Sequence, residues 1–264
     1  MKTKILNKSE CLKELQKVDA FTLCLNDYTL VNLLKQPSVK SYLNGIAEAP
    51  LDASDVQSEA ITDIFNKVIK PKWKSLGLPN ILINFGITNG RDMGMSGLPY
   101  TRGNTIFFCS QVLTHKYMKS KHFKQLIAHE CFHVMSRENP RIRSKLYKFF
   151  GFKPSEDIDI GITNPDCPMN NYSIEIDGKD YVPYLEMPTT HSLSAHTMMF
   201  DLKERVSVKA SDTKIYEMIG KTTQYVTHPE EICADFFMNL FEEGYEVDKV
   251  KLLKFKEELI KCLN

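Results

Sequence analysis

The feature that most constrains this chain is the segment 126–135, which reads LIAHECFHVM. It contains the pattern H-E-x-x-H, with His129 and His133 four residues apart. On an α-helix this spacing puts both imidazoles on one face, where two neutral nitrogens can take adjacent corners of a tetrahedral Zn²⁺ site. Glu130 follows the first histidine, so its carboxylate can accept a proton from a water activated by the metal. The pattern therefore predicts a zinc-hydrolase site on a helix.

The residues around the pattern favour a helix of defined length. Ser120 is a helix-start signal, and Asn139-Pro140 ends the run because the residue before a proline avoids the helical region. The apolar residues suit a face buried in a core, which would give the ligands a rigid base: Leu126, Ile127, Phe132, Val134 and Met135. The simpler alternative is a helix that carries two histidines without a metal.

A third protein ligand is needed, because a catalytic zinc site uses three and leaves one corner open. Two adjacent glutamates compete for this role in the sequence T-H-P-E-E-I-C-A-D. Thr227 and Glu230 have capping-box spacing, which predicts that Glu230 is used at the helix start. Glu231 shares a helix face with Asp235, so we predict Glu231 as the third ligand and Asp235 as the carboxylate that orients a ligating histidine. The alternative is a solvated acidic first turn favoured by the helix dipole.

This pairing resembles the gluzincin metallopeptidases, which combine H-E-x-x-H on one helix with E-x-x-x-D on a later one. Other stretches are similar to a family of uncharacterised bacterial zinc metallopeptidases: 98–105, 139–147, Gly151-Phe152, 163–166 and 228–231. The resemblance covers roughly residues 98 to 237 and implies a zincin-like α+β fold with one Zn²⁺ per chain. The long segment between the second histidine and the glutamate departs from the family, because its pattern indicates β-structure rather than a short helical crossover.

The rest of the chain divides into two portions of one predicted catalytic domain, 1–264. Residues 1–78 have helical patterns and are interpreted as scaffold: Ser9 could cap a first helix, Asn26 or Asp27 could start a second, and Asp55 starts a longer one that Pro71 kinks. Residues 79–264 form the predicted zincin-like portion, with a small sheet before the H-E-x-x-H helix and further helices after it. Strand signals lie at 81–85, 105–109 and 198–208, a hairpin joins 172–176 to 179–185 at Asp177-Gly178, and a C-terminal helix spans about 247–262.

The strand 105–109 carries a functional expectation. In gluzincin-like folds the strand before the metal-binding helix is often the sheet edge along which an extended peptide lies. The resemblance therefore implies that this strand binds peptide backbone by strand addition. An interior strand is the alternative.

Composition bounds the partners and the compartment. The chain has 264 residues, a formal net charge of +1 and interspersed charges, so we expect no nucleic-acid partner. Seven cysteines without framework spacing indicate free thiols and a reducing compartment. With no signal-peptide pattern and no long apolar run, we expect a cytoplasmic protein with no membrane association. Export without a cleaved signal would leave the same pattern, and the sequence does not predict the oligomeric state.

The predicted function is peptide-bond hydrolysis by a zinc-activated water, with Glu130 as general base and a peptide or protein as substrate. Tyr225 and His228 are the nearest candidates to stabilise an oxyanion. The remaining histidines are interpreted as structural: His115, His122, His191 and His196. Two alternatives stay open. One is a zinc hydrolase of a non-peptide amide; the other is a non-catalytic module with a closed zinc site whose fourth ligand is His228 or Cys131.

Overall fold

The computed structural model describes residues 1–94, 97–187, 196–220, 222–223, 225–242 and 247–263. Within these ranges the chain is a mixed α/β structure with two five-stranded sheets. The predicted α+β class is confirmed at this level. His191 lies outside the described residues.

The N-terminal portion begins with a strand rather than a helix. β1 (Lys2–Ile5) pairs with a later strand in parallel, so the prediction that 1–78 is helical is wrong here. Asn7 instead of Ser9 caps the first helix. Asn26, one of the two predicted starts of a second helix, caps the third, because an unpredicted short helix precedes it. Four helices follow β1: α1 (Lys8–Leu15), α2 (Ala20–Cys24), α3 (Asp27–Asn32) and α4 (Val39–Gly45).

A long broken helix comes next. After the short strand β2 (Pro50–Leu51), Ser54 caps α5 (Asp55–Ile64) through a capping box with Gln57. The chain continues through a π-helical turn, Phe65–Ile69, into α6 (Lys70–Ser75). Pro71 has no N–H to offer the preceding turn, and the wider turn before it accommodates this loss.

The first sheet has the order β1-β3-β5-β4, with β2 paired to β3. The other three strands of this sheet are β3 (Leu82–Thr88), β4 (Tyr100–Arg102) and β5 (Thr105–Cys109). The strand predicted at 105–109 is therefore present, but it lies between β3 and β4. The prediction that it forms the sheet edge is wrong, because β4 pairs with its open side.

The predicted H-E-x-x-H helix is α8 (Lys121–Glu138), capped by Ser120 as expected. It follows the short helix α7 (His115–Met118) and precedes α9 (Pro140–Phe149). Four of the five predicted apolar residues of α8 are fully enclosed, namely Ile127, Phe132, Val134 and Met135, and Leu126 is half-buried. This burial fixes the helix on the first sheet and the later helices.

The second sheet is antiparallel throughout, with the order β10-β9-β8-β7-β6. Its hairpin at Asp177-Gly178 is confirmed, with Asp177 at positive φ as the turn requires. The strand predicted at 198–208 is two strands joined by a turn. The members are β6 (Phe152–Pro154), β7 (Tyr172–Ile176), β8 (Lys179–Glu186), β9 (His196–Asp201) and β10 (Ser207–Lys209).

Three helices complete the chain: α10 (Ile215–Ile219), α11 (Pro229–Phe241) and α12 (Lys249–Leu263). Phe237 of α11 packs on Phe132 of α8, with ring centroids 5.3 Å apart. Phe255 of α12 covers the other side of α11 against Phe236, with centroids 5.6 Å apart. This packing holds α11 beside α8, and these two helices carry the predicted metal ligands.

The core lies in two layers around the first sheet. Ile106 and Phe108 of β5 face the main cluster, which includes α5, α6, α8, α11 and α12. Phe107 faces the opposite cluster, formed largely by α1–α4. The first sheet is thus buried on both faces, and the N-terminal helices form its outer layer.

Candidate metal centre

Helix α8 presents His129 and His133 on the same face. Their ring centroids are 4.8 Å apart, as expected for side chains one helical turn apart. The side chain of His133 is fully buried, and that of His129 is 12 % exposed. The site therefore reaches solvent on the His129 side.

Helix α11 brings Glu231 to these two rings. Glu231 Oε2 lies 3.3 Å from His129 Nε2 and 3.8 Å from His133 Nε2. Bonds of about 2.1 Å to a tetrahedral zinc ion would put neighbouring ligand atoms about 3.4 Å apart. The three side chains offer ligand atoms that all lie within 4.8 Å of one another. Their spacing fits a single zinc ion with little adjustment.

One buried atom supports this fit. His133 Nε2 is enclosed and has no hydrogen-bond partner among the described residues. A buried polar atom without a partner is costly, so native proteins usually give it a hydrogen bond or a metal. A cation bound between the two rings and Glu231 would satisfy it.

Asp235 orients His129. Its Oδ1 is 3.0 Å from His129 Nδ1, which leaves Nε2 directed at Glu231. Thr223 donates its hydroxyl to the other oxygen of Asp235. The structure thus places Asp235 where the i, i+4 spacing predicted, in contact with a candidate ligand.

Glu230 orients His133, and the capping box predicted for it is wrong. Its Oε1 lies 3.0 Å from His133 Nδ1 and also accepts the hydroxyl of Ser136. Tyr147 donates to its other oxygen. The N-cap is His228 rather than Thr227, and its Nδ1 accepts the backbone N–H of Glu230 at 3.0 Å. Because His228 caps the helix, the Glu230 side chain is not held at the helix start and turns inward to His133.

Nearby carboxylates favour the protonated, positively charged form of the two histidine rings. Burial opposes ionisation, but Asp235 and Glu231 raise the pKa of His129 well above its ordinary value. Burial is also outweighed at His133, whose pKa is raised to about 9, chiefly by Asp166 and Glu231. Both histidines in turn lower the pKa of Glu231 to about 2, again against the effect of burial. The negative charge of the carboxylates around the two rings therefore favours the binding of a divalent cation.

Glu130 lies beside the candidate ligands, and one of its carboxylate oxygens is buried without a hydrogen-bond partner among the described residues. The residue is 2 % exposed, and this oxygen is Oε2. Burial, followed by repulsion from Asp166, raises the pKa of Glu130 to about 8. Glu130, His133 and Asp166 also offer ligand atoms within 4.8 Å of one another. A carboxyl group in this position is suited to exchange a proton with a molecule bound next to the histidines.

A loop at 163–168 supplies contacts that the sequence interpretation missed. Asn164 Nδ2 donates to Glu231 Oε1 at 2.7 Å, and Cys167 Sγ lies 3.7 Å from the same oxygen. Asp166 lies beside Glu130 and His133. In the sequence, only the resemblance of residues 163–166 to a peptidase family pointed to this loop. A loop with two prolines carries no pattern that predicts which helix it contacts.

The predicted oxyanion candidates have different surroundings. Tyr225 is 36 % exposed, and its phenol is partly desolvated by the surrounding protein. This desolvation, and next the charge of Glu231, raise its pKa well above the usual range, so the phenol keeps its proton and can donate. His228 is buried and already serves as a cap; burial lowers its pKa to about 4, which keeps the ring neutral.

Side chains already bind part of the backbone at the outer edge of β4. The Thr101 N–H donates to Asp166 Oδ1 at 2.7 Å, and Arg137 donates to the Gly103 carbonyl at 2.6 Å. Two backbone groups at this edge are therefore already bound by side chains. The strand addition predicted for 105–109 has no open edge there, and at β4 a peptide would have to displace these contacts.

The chain matches no known family model, no curated protein and no solved structure. The resemblance to gluzincins therefore stays a prediction. None of the described helices combines the length and apolar character needed to cross a membrane.

Proposed function

We propose that this protein is a zinc-dependent hydrolase that cleaves peptide bonds. The observation that carries the proposal is the convergence of His129, His133 and Glu231, with each histidine held at Nδ1 by its own carboxylate. Two histidines and one glutamate are the donor set of several zinc peptidases. Carboxylate partners of this kind fix the ring orientation of ligating histidines in such sites.

Zn²⁺ bound by these residues would supply an activated water at neutral pH and polarise the carbonyl of the scissile amide. Glu130 accepts the proton of the attacking water and passes it to the leaving amine, so that one water is consumed and one acid and one amine are formed. Asp235 and Glu230 hold the two rings. Tyr225 is the available hydroxyl donor for the developing oxyanion.

A non-catalytic zinc site is the second candidate, and Asp166 is the observation that favours it. Its carboxylate offers a ligand atom close to those of His133 and Glu130, so a shift of Asp166 toward His129 and Glu231 would close the fourth corner. The fourth ligands predicted for a closed site are not grouped with the three. Cys131 is buried in the main core. Nε2 of His228 has no hydrogen-bond partner among the described residues, but it does not lie within 4.8 Å of all three ligand atoms. Among the described residues, no fourth ligand atom lies within 4.8 Å of all three ligands.

The test combines metal analysis with a cleavage screen. Purified wild-type protein should contain one zinc per chain, and His133→Ala should lose it. A peptide library analysed by mass spectrometry, with non-peptide amides in parallel, should reveal cleavage by the wild type. Glu130→Gln should keep zinc and fold but lower turnover by about 10²–10⁴. The matched control is Glu138→Gln, an exposed change on the same helix.

The outcomes separate the candidates. Equal hydrolysis by Glu130→Gln and wild type would remove Glu130 from the mechanism. Full zinc occupancy with no hydrolysis, together with weaker zinc binding in Asp166→Asn, would favour the structural site. A wild-type protein that binds no zinc would exclude both candidates.

A further inference from the structure

Asn164 distinguishes the two oxygens of Glu231. Its side-chain amide donates to Oε1 at 2.7 Å, while Oε2 is the oxygen that faces both histidines. A carboxylate held in this way presents one oxygen to a cation and keeps the other engaged. The contact joins a loop to α11 across a long separation in sequence, so it depends on where the loop is placed.

The N-terminal helices place this loop. Thr163 donates its N–H to Thr29 Oγ1 at 2.7 Å, and its own hydroxyl donates to the Cys24 carbonyl at 3.1 Å. Nearby, Asn26 Nδ2 donates to the Gly161 carbonyl at 3.1 Å. Thr29 and Thr163 are both buried. The residue immediately before Asn164 is therefore fixed to α2 and α3 rather than to the metal-binding helices.

We propose that Asn164 is a positioning residue for the third metal ligand, and that α2 and α3 hold it in place through Thr163. This proposal rests on the proposed metal site. It assigns the N-terminal portion a role beyond scaffold, because a contact chain from Thr29 through Thr163 and Asn164 ends on Glu231. Residues of this kind typically change metal affinity by about 10–100-fold when they are removed.

Asn164→Ser is the sharpest variant. The Asn164 side chain also builds its own loop, since its Oδ1 accepts the Asp166 N–H at 2.9 Å. A serine hydroxyl can replace this acceptor in the turn but is too short to reach Glu231. The variant therefore removes the proposed positioning contact and keeps the local turn. Asn171→Ser is the matched control, because among the described residues the side-chain amide of Asn171 donates only to Met169 Sδ, at 3.9 Å.

The measurement is the zinc dissociation constant, determined by competition with a chromophoric chelator, together with the absorption spectrum of bound Co²⁺. Asn164→Ser should weaken zinc binding by about 10–100-fold and alter the Co²⁺ spectrum, which reports ligand number and geometry. Thr29→Val, which removes the acceptor for Thr163 and touches no ligand, should weaken zinc binding less. Asn171→Ser should match the wild type.

A folded Asn164→Ser protein with wild-type zinc affinity and Co²⁺ spectrum would overturn the proposal. Wild-type affinity in Thr29→Val would overturn the role of the Thr29–Thr163 contact with α3 while leaving that of Asn164. These results are distinct from failure of the proposed function with an intact metal site, which would appear as full zinc occupancy without hydrolysis. A wild-type protein that binds no zinc would overturn both proposals.

Discussion

Glu230 and Glu231 are neighbours in sequence with different tasks. Successive residues of a helix point about 100° apart, so the two carboxylates leave α11 in different directions. Glu231 faces the ring nitrogens that converge with it, and Glu230 reaches the far side of His133. Tyr147 and Ser136 also donate to Glu230. The pair supplies one candidate ligand and one support for another ligand.

This difference makes Glu230→Gln informative. The amide keeps the size of the side chain but removes the negative charge that holds the His133 ring. We expect zinc affinity to fall by about 10–100-fold, with the ligand set intact. Chelator competition measures the change, and the exposed Glu217→Gln serves as a control. Unchanged affinity in Glu230→Gln would show that Glu230 does not orient the ligand.

At the scale of elements, the packing of the N-terminal helices on the first sheet requires a glycine in β3. Gly86 in β3 lies between Cys11 of α1 and Phe107 of the neighbouring strand β5. A Cβ at this position would be 2.8 Å from a ring carbon of Phe107 and 3.0 Å from Cys11 Sγ. The close approach of the N-terminal layer to the sheet therefore leaves no room for a side chain.

Gly86→Ala should destabilise the protein by about 1–3 kcal/mol, because the added methyl group overpacks this layer. Denaturant unfolding measures the loss. Gly45→Ala is the comparison: a Cβ there is no closer than 3.5 Å to Gln36, and alanine is the better helix former. That change should leave the free energy of unfolding unchanged or raise it by up to about 1 kcal/mol. Equal stability of both variants would show that β3 and α1 can separate at little cost.

At the scale of the whole molecule, the candidate site joins segments that are far apart along the chain. His129 and His133 come from α8, Glu231 from α11, and the loop that contacts Glu231 is anchored on α3. A ligand that binds only the folded arrangement stabilises it by mass action. Zinc should therefore act on global stability as well as on chemistry.

Removal of zinc should lower the melting temperature. At a free zinc concentration 100 times the dissociation constant, the stabilisation is about 2.7 kcal/mol. For a protein of this size it corresponds to a shift of about 5–10 °C. Calorimetry before and after chelation measures it, and His133→Ala should show no zinc-dependent shift. A wild-type melting temperature that ignores zinc would argue against a site that links these segments.

Local patterns in the sequence determined what depends on neighbours along the chain. The start of α8 at Ser120, the shared face of His129 and His133, the shared face of Glu231 and Asp235, and the hairpin at Asp177-Gly178 all follow from helix or turn periodicity. Even so, the cap of α11 was misassigned, because Thr227 and His228 are both able to accept a backbone N–H. Periodicity does not choose between adjacent acceptors.

Only the tertiary structure decided which distant groups meet. It placed β4 outside β5, directed Glu230 to His133, and brought Asn164 and Asp166 from a loop to the candidate ligands. Strand order and loop placement depend on packing between segments that are far apart in sequence, and no short-range pattern records that packing. The helix with its two histidines is thus a local property of the chain, whereas the enclosure around it is a property of the fold.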